Sequence, residues 1–286
     1  MSMPTLADKA IKVKLTIHRP TTVKCDTRLT EQVQAQERDK ALRVTTRLFS
    51  DKHSPVAQMF AQLNTIYAYH REHTLPYIDA GPRLLPNSLF MEYTDHMRQL
   101  RATLDTLLAT HLPTYDALVQ EDMQRRGGNA TRDDYPSRQE FSDSMQVSVR
   151  FDPLPRAAHF LFDVGADALA EFERGQHQLW QLAHEDTLNR VLTPVQSLLE
   201  RLRTYTGSPG ERFHASLLTN IVEGVQTMRK LLIDPSPSLL DTVAKIERLA
   251  VSASADPNGF KESTRLRHTT RDELDALAKQ LADYQF

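Results

Sequence analysis

The sequence predicts a mainly α protein: a long antiparallel helical hairpin or bundle with a small β element formed by distant segments. Three observations predict it. Apolar residues recur at steps of three and four through Ser88–Met123 and again through Ala166–Tyr205. Strict apolar alternation is confined to two short stretches, Ala10–His18 and Met145–Phe151. Nine glycines in 286 residues are too few for the repeated tight turns of a β-sandwich.

In Ala10–His18, Ile11, Val13, Leu15 and Ile17 alternate with Lys12, Lys14 and Thr16, the pattern of a half-buried strand. Arg19-Pro20-Thr21-Thr22 reads as a turn and Val23–Cys25 as a short return strand. A helix is expected from Thr27 to Phe49, with a polar middle at Gln34–Lys40. Ser54-Pro55 opens another by supplying a hydroxyl cap and a proline at the first helical position. Met59, Leu63, Ile66 and Tyr67 mark its apolar side, and Pro76 ends it near Thr74. Leu75–Pro86 reads as a turn-rich connector.

The helix over Ser88–Met123 carries the seam Tyr93, Met97, Leu100, Leu104, Leu108, Leu112, Tyr115, Val119 and Met123. At ~1.5 Å per residue it is roughly 50 Å long and needs a partner. The expected partner is Ala166–Tyr205. Pro113 predicts a kink or break near His111, and Pro194 predicts the same in the second helix. Gly127–Asp134 reads as a polar loop and a candidate mobile tip. Ser137 and Glu140 form a capping box, and Phe160–Val164 reads as a third strand or a packed linker. Ser208-Pro209-Gly210-Glu211 is expected to open a helix through Phe213 and Met228, and Ser236-Pro237 the next. Ser252–Thr269 reads as an exposed loop, and Thr270–Glu273 as the cap of the last helix. The chain is expected to divide into 1–85, 86–205 and 206–286, unless these close as one continuous domain.

Hydrophobic residues make up 40% and charged residues 25%, which excludes a disordered chain. The net charge of -2 exerts no global pull on nucleic acid or membrane. Cys25, the only cysteine, excludes an intrachain disulfide and a cysteine–zinc cluster. Met1–Lys14 lacks the apolar run of a signal peptide, and no stretch approaches the ~20 apolar residues of a membrane helix. The expectation is a cytoplasmic protein without cofactor.

No catalytic constellation emerges. His70 and His73 flank Glu72 at a spacing of three, whereas zinc-protease helices space their histidines by four. Glu173, His177 and His184 share a helical face and read as a polar stripe or a buried, hydrogen-bonded histidine. Glu92 and His96 read as an i, i+4 support pair. Gly207-Ser208-Pro209-Gly210 lacks the Lys-Ser/Thr of a phosphate-binding loop. Nucleic acid has two candidate contacts: Lys261, Arg265, Arg267, His268 and Arg271 together, and Arg125-Arg126 at a helix end. No aromatic residues interleave near Arg265 to form a stacking platform. The candidate protein-docking seam is Tyr93, Met97, Leu100, Leu104, Leu108 and Tyr115, if any part of it is exposed.

A resemblance covers about half of the chain. It rests on Leu84-Leu85-Pro86, Tyr93, Met97-Arg98-Gln99-Leu100-Arg101, Tyr115, Tyr135-Pro136-Ser137 and the run Val147–Pro155. With these the chain resembles a family of uncharacterised helical proteins encoded by bacteriophages and prophages, often beside a MoxR-type AAA+ ATPase. The resemblance implies a role as partner or adaptor of such an ATPase, in the cytoplasm of a bacterial host. It supplies no catalytic residues. The expected function is therefore a non-enzymatic interaction protein that binds an AAA+ ATPase or a host protein. The alternatives are a DNA-binding accessory protein in phage replication or recombination, and an inhibitor of a host defence system. Self-association through the long seams is open.

Overall fold

The computed structural model describes residues 6–127, 129–155, 166–208 and 211–284. In chain order the elements are α1 (Leu6–Lys9), β1 (Ala10–His18), β2 (Val23–Cys25), α2 (Thr27–Glu37), β3 (Thr45–Arg47), α3 (Pro55–Glu72), β4 (Leu75–Pro76) and β5 (Pro82–Pro86). They continue as α4 (Phe90–His111), α5 (Tyr115–Arg125), α6 (Arg138–Ser144), β6 (Gln146–Asp152), α7 (Ala166–Thr204) and α8 (Ser216–Leu231). The described chain closes with α9 (Pro237–Ala255), α10 (Pro257–Glu262) and α11 (Thr264–Ala282). The protein is mainly α with a small antiparallel β component, as the hydrophobic periodicity predicts.

The chain forms two compact units that cut across the three segments expected from sequence. One gathers the chain up to Lys14, Arg71–Met91 and the chain from Phe151 onward; the other gathers Leu15–His70 and Glu92–Arg150.

In the first unit the core lies among α7, α8, α9 and α11, built from Val191, Val195, Leu198, Ile221, Val225, Val243, Ile246, Leu274 and Leu281. The neighbours of α7 are α8 and α11. The hairpin expected between Ser88–Met123 and Ala166–Tyr205 is not among the helix pairs of either unit. Nor does Pro194 divide α7, which runs unbroken through it. Pro194 brings no N–H to the carbonyl of Arg190 four residues back. At that bare carbonyl α8 carries Gly224, where a Cβ would stand 2.3 Å from Arg190 O. The Arg190 side chain donates to the carbonyls of Glu72, Arg71 and Thr74 at 2.7, 3.1 and 3.1 Å.

Leu75–Pro86 is a β-hairpin rather than a connector. β5 pairs antiparallel with β4 and with β1, placing Leu84 beside Leu75 and Lys12. Its prolines stand at its two ends, where a missing N–H costs the ladder least. The strand order of the sheet is β4-β5-β1-β6.

In the second unit α3 buries Val56, Met59, Leu63 and Ile66, and α4 buries Tyr93, Met97 and Leu104. Phe49, Tyr115, Tyr135 and Phe141 form an aromatic cluster, with ring centroids 4.8 Å apart for Tyr115 and Phe141 and 5.2 Å for Phe49 and Tyr135. The break expected at Pro113 is present as a 3₁₀ turn over Leu112–Thr114. Ser137 caps α6 in a full capping box with Glu140, as expected.

Further expectations are corrected. The helix over Thr27–Phe49 stops at Glu37, where Arg38 is left-handed, and Thr45–Arg47 becomes β3. Gln34 draws the chain back by donating to the carbonyls of Lys40 and Leu42. Val23–Cys25 therefore pairs with β3, not with β1. Ser252–Thr269 is helical: α9 runs to Ala255, Asp256 caps α10, and Ser263 caps α11. Thr270–Glu273 accordingly lies inside α11. Finally, α8 begins at Ser216 rather than after Ser208; Glu211 caps no helix, and its carboxylate accepts from the N–H groups of Thr206 and Gly207. Pro209, Gly210 and Phe160–Val164 lie outside the described residues.

Candidate functional site

The residues expected to hold phosphate are largely engaged within the fold. Arg267 is buried, donates to the Lys261 carbonyl and to Thr264 Oγ1, and lies with its guanidinium carbon 5.1 Å from the Tyr205 ring centre. It is a packing residue. Arg271 pairs with its neighbour Asp272 at 2.7 Å. Lys261, Arg265 and His268 remain, half-buried in the first case and exposed in the other two. Arg125 bridges Asp51 at 2.7 Å and Glu121 at 2.8 Å, and the Arg126 guanidinium donates to the Arg47 carbonyl at 2.7 Å. The tip after Arg126 is tied down too. Lys24 bridges Asp134, Arg28 donates to Asn129, and Thr131 forms a capping box with Asp134. The last of these is a Thr-x-x-Asp pattern that the sequence displays.

The candidate docking seam is core. Tyr93, Met97, Leu104 and Tyr115 are buried, and Leu100 and Leu108 are half-buried. His70 is buried and shares a 2.7 Å hydrogen bond with the Tyr93 hydroxyl. Burial pushes the Tyr115 hydroxyl up to about 12. Among the described residues no three His, Cys, Asp or Glu side chains are grouped to hold a metal. His177 is exposed, whereas His184 is buried, so the two do not form one stripe. Cys25 is exposed, its sulfur 3.7 Å from Thr30 Oγ1.

The feature that periodicity did not single out is a groove between α7 and α11 in the first unit. Its two lobes, of about 660 and 340 Å³, share Leu192 and Ala282. Leu188, Leu192, Leu199 and Ala278 supply an apolar floor, and Gln181, Glu185, Glu200, Arg203 and Tyr284 supply the rim. From Gln181 to Arg203 the groove follows α7 for roughly 33 Å. Arg203 and Lys279 both pair with Asp275, and the hydrogen bond from Lys279 holds that carboxyl below its usual range. Glu185 and Glu200 are exposed and make no ion pair among the described residues. The groove therefore offers a lining that is polar and apolar in nearly equal parts, with unmatched negative charge at its edge. Leu188, Leu192 and Leu199 form a second stripe beside Val191, Val195 and Leu198, as expected of a helix with two helical neighbours, and this pattern alone does not mark a groove.

The class these features define is a mainly α-helical protein with an open interhelical groove. No family model, no curated protein and no solved structure matches the chain. No helix among the described residues is long and apolar enough to cross a membrane.

Proposed function

We propose that this chain is a non-enzymatic helical interaction protein, acting in a bacterial cytoplasm, that holds an amphipathic helix of a protein partner. The α7–α11 groove supports this reading above all. A trough of this length receives several turns of helix, with apolar anchors at steps of three and four meeting Leu188, Leu192 and Leu199. The unmatched Glu185 and Glu200 favour a helix with Lys or Arg on its flank. The phage-type resemblance supplies the partner class, a MoxR-type AAA+ ATPase. The test is direct binding of the purified protein to a MoxR-type ATPase from the same genome. Leu192→Arg and Glu200→Lys, each checked for unchanged helical circular dichroism, weaken the complex at least tenfold. Absence of a complex at 10 µM, or a complex indifferent to both substitutions, overturns the reading.

A second reading, an accessory DNA-binding protein, draws on Lys261, Arg265 and His268, none of which makes an ion pair among the described residues. The two cations among them, Lys261 and Arg265, give a log–log salt slope of roughly -1.5 to -2. Charge reversal at Lys261 and Arg265 flattens that slope if the reading holds. Recovery of partners with and without nuclease separates the two readings.

A further inference from the structure

The helices α9 and α11 are joined through the six-residue α10 and pack against each other. A second groove, of about 440 Å³, opens along their outer face between Lys245, Arg248 and Leu249 of α9 and Glu273, Ala276 and Leu277 of α11. The Tyr284 hydroxyl just beyond the end of α11 meets Ser236 Oγ at the start of α9, so the two helices run antiparallel, and counting inward from that contact places Arg248 about level with Asp272 and Glu273. Leu266 stands seven residues before Glu273 on the same stripe of α11 and is 44% exposed.

Of the three charged residues that line this groove, Lys245 is matched within the chain and Arg248 and Glu273 are not. Lys245 pairs with Asp241 at 2.7 Å, Glu247 with Arg229 at 2.8 Å, and Lys279 with Asp275 at 2.7 Å. Arg248 donates only to the Ala244 carbonyl of its own helix, and neither it nor Glu273 makes an ion pair among the described residues. One unmatched cation and one unmatched anion thus stand on opposite walls of a mainly apolar trough, at nearly the same level along it.

We infer that this face is the interface of a homodimer with its two-fold axis lying along the groove. That operation keeps height along the groove and exchanges its walls. It lays α9 of one copy over α11 of the other and sets each Arg248 against the partner's Glu273. Leu249, Ala276, Leu277 and Leu266 close between them as the core of a four-helix contact. An isologous interface requires a surface complementary to itself, and a trough with one charge of each sign on facing walls has that property. The area sets the strength. Two helices of 19 residues are about 28 Å long and together ~20 Å wide, so roughly 1,100 Å² is buried in total, at the low end for specific complexes. A dimer with a dissociation constant on the order of 1–10 µM is expected.

The experiment is sedimentation velocity of the full chain from 1 to 100 µM. Arg248→Glu and Glu273→Arg each raise the dissociation constant at least tenfold, and the double substitution R248E/E273R restores it to within threefold of the original. Ala276→Arg, at an exposed position, abolishes the dimer while helical circular dichroism is unchanged. Leu192→Arg, in the other groove, leaves dimerisation intact, so failure of this inference and failure of the partner-helix reading are separable. A monomer at 100 µM overturns the inference and leaves the face to a different protein. A dimer insensitive to the charge variants and to Ala276→Arg overturns it equally.

Discussion

The hydroxyl of Tyr135 donates to Oδ2 of Asp122 across 2.6 Å, and the same carboxylate oxygen accepts the N–H of Phe49 at 3.0 Å. Asp122 is 4% exposed, and its other oxygen has no partner among the described residues. Phe49 is left-handed, with φ of 51°, a conformation that costs a bulky residue on the order of 1 kcal/mol or more. One buried carboxylate thus fixes a strained turn and an aromatic ring of the second unit at once. Asp122→Ala leaves two buried donors without an acceptor, and the expected loss is about 3 kcal/mol. Asp122→Asn keeps an oxygen for both donors and costs about half as much. Urea midpoints of the two variants check the order. Burial, and then the Asp122 carboxylate beside it, push the Tyr135 hydroxyl up from its usual value of 10.0. The neutral phenol is the form the fold favours. Its contribution is complete below the unfolded value and is lost as pH rises above it. Asp122→Asn therefore shifts ionisation of Tyr135 towards ordinary pH, read as absorbance at 295 nm.

Gly224 is held by geometry rather than by a turn. A Cβ there would meet Arg190 O at 2.3 Å and Arg190 C at 3.3 Å, both backbone atoms of α7. Alanine is intrinsically the better helix former by about 1 kcal/mol, so propensity alone predicts that Gly224→Ala stabilises. Overpacking wins, because neither helix backbone can yield as a side-chain tip does. The expected outcome is a net destabilisation of about 2–3 kcal/mol, measured by thermal unfolding. An alanine variant more stable than the parent would mean that α7 and α8 separate freely at this level.

The sequence made local features legible where the period and the capping chemistry agreed. β1 and β6 follow their alternating residues, and Pro113, Ser54 and Ser137 mark a helix break and two helix starts. Legibility failed where a partner distant in sequence decided the structure. Val44, Leu48 and Phe49 fall at near-helical spacing, yet Thr45–Arg47 pairs with Val23–Cys25, a contact with no local signal. Leu75–Pro86 reads as a connector because its prolines dominate, although Arg83-Leu84-Leu85 carries the ladder. Ser252–Thr269 looks like a loop because it is polar, but Asp256-Pro257 and Ser263 are two successive helix starts. The candidate grooves were illegible for a related reason. Helical periodicity identifies an apolar stripe without saying which helix covers it, so the seam around Tyr93 and Met97 became core, and α7 and α11 pack together while leaving a groove along their rim.

His184 carries the last prediction. It is 3% exposed on α7, with its ring edge-to-face against Trp180 at 4.6 Å. Burial pushes it down from 6.5 to about 4. The folded protein therefore keeps it neutral through mildly acidic pH, while the unfolded chain takes up a proton below about 6.5. A depressed value gives stability that is complete above pH 6.5 and is lost as pH falls towards 4. Between pH 7.5 and 5 the expected loss is up to about 2 kcal/mol. Trp180 is the only tryptophan in the chain, so its fluorescence reports unfolding at this point of α7. Urea titrations at the two pH values give the slope for the parent. His184→Leu removes the titrating group at similar volume and flattens that slope by most of the 2 kcal/mol, even if it shifts the midpoint at pH 7.5. An unchanged slope in the variant would show that His184 is protonated in the native state at pH 5, and that water reaches it beside Trp180.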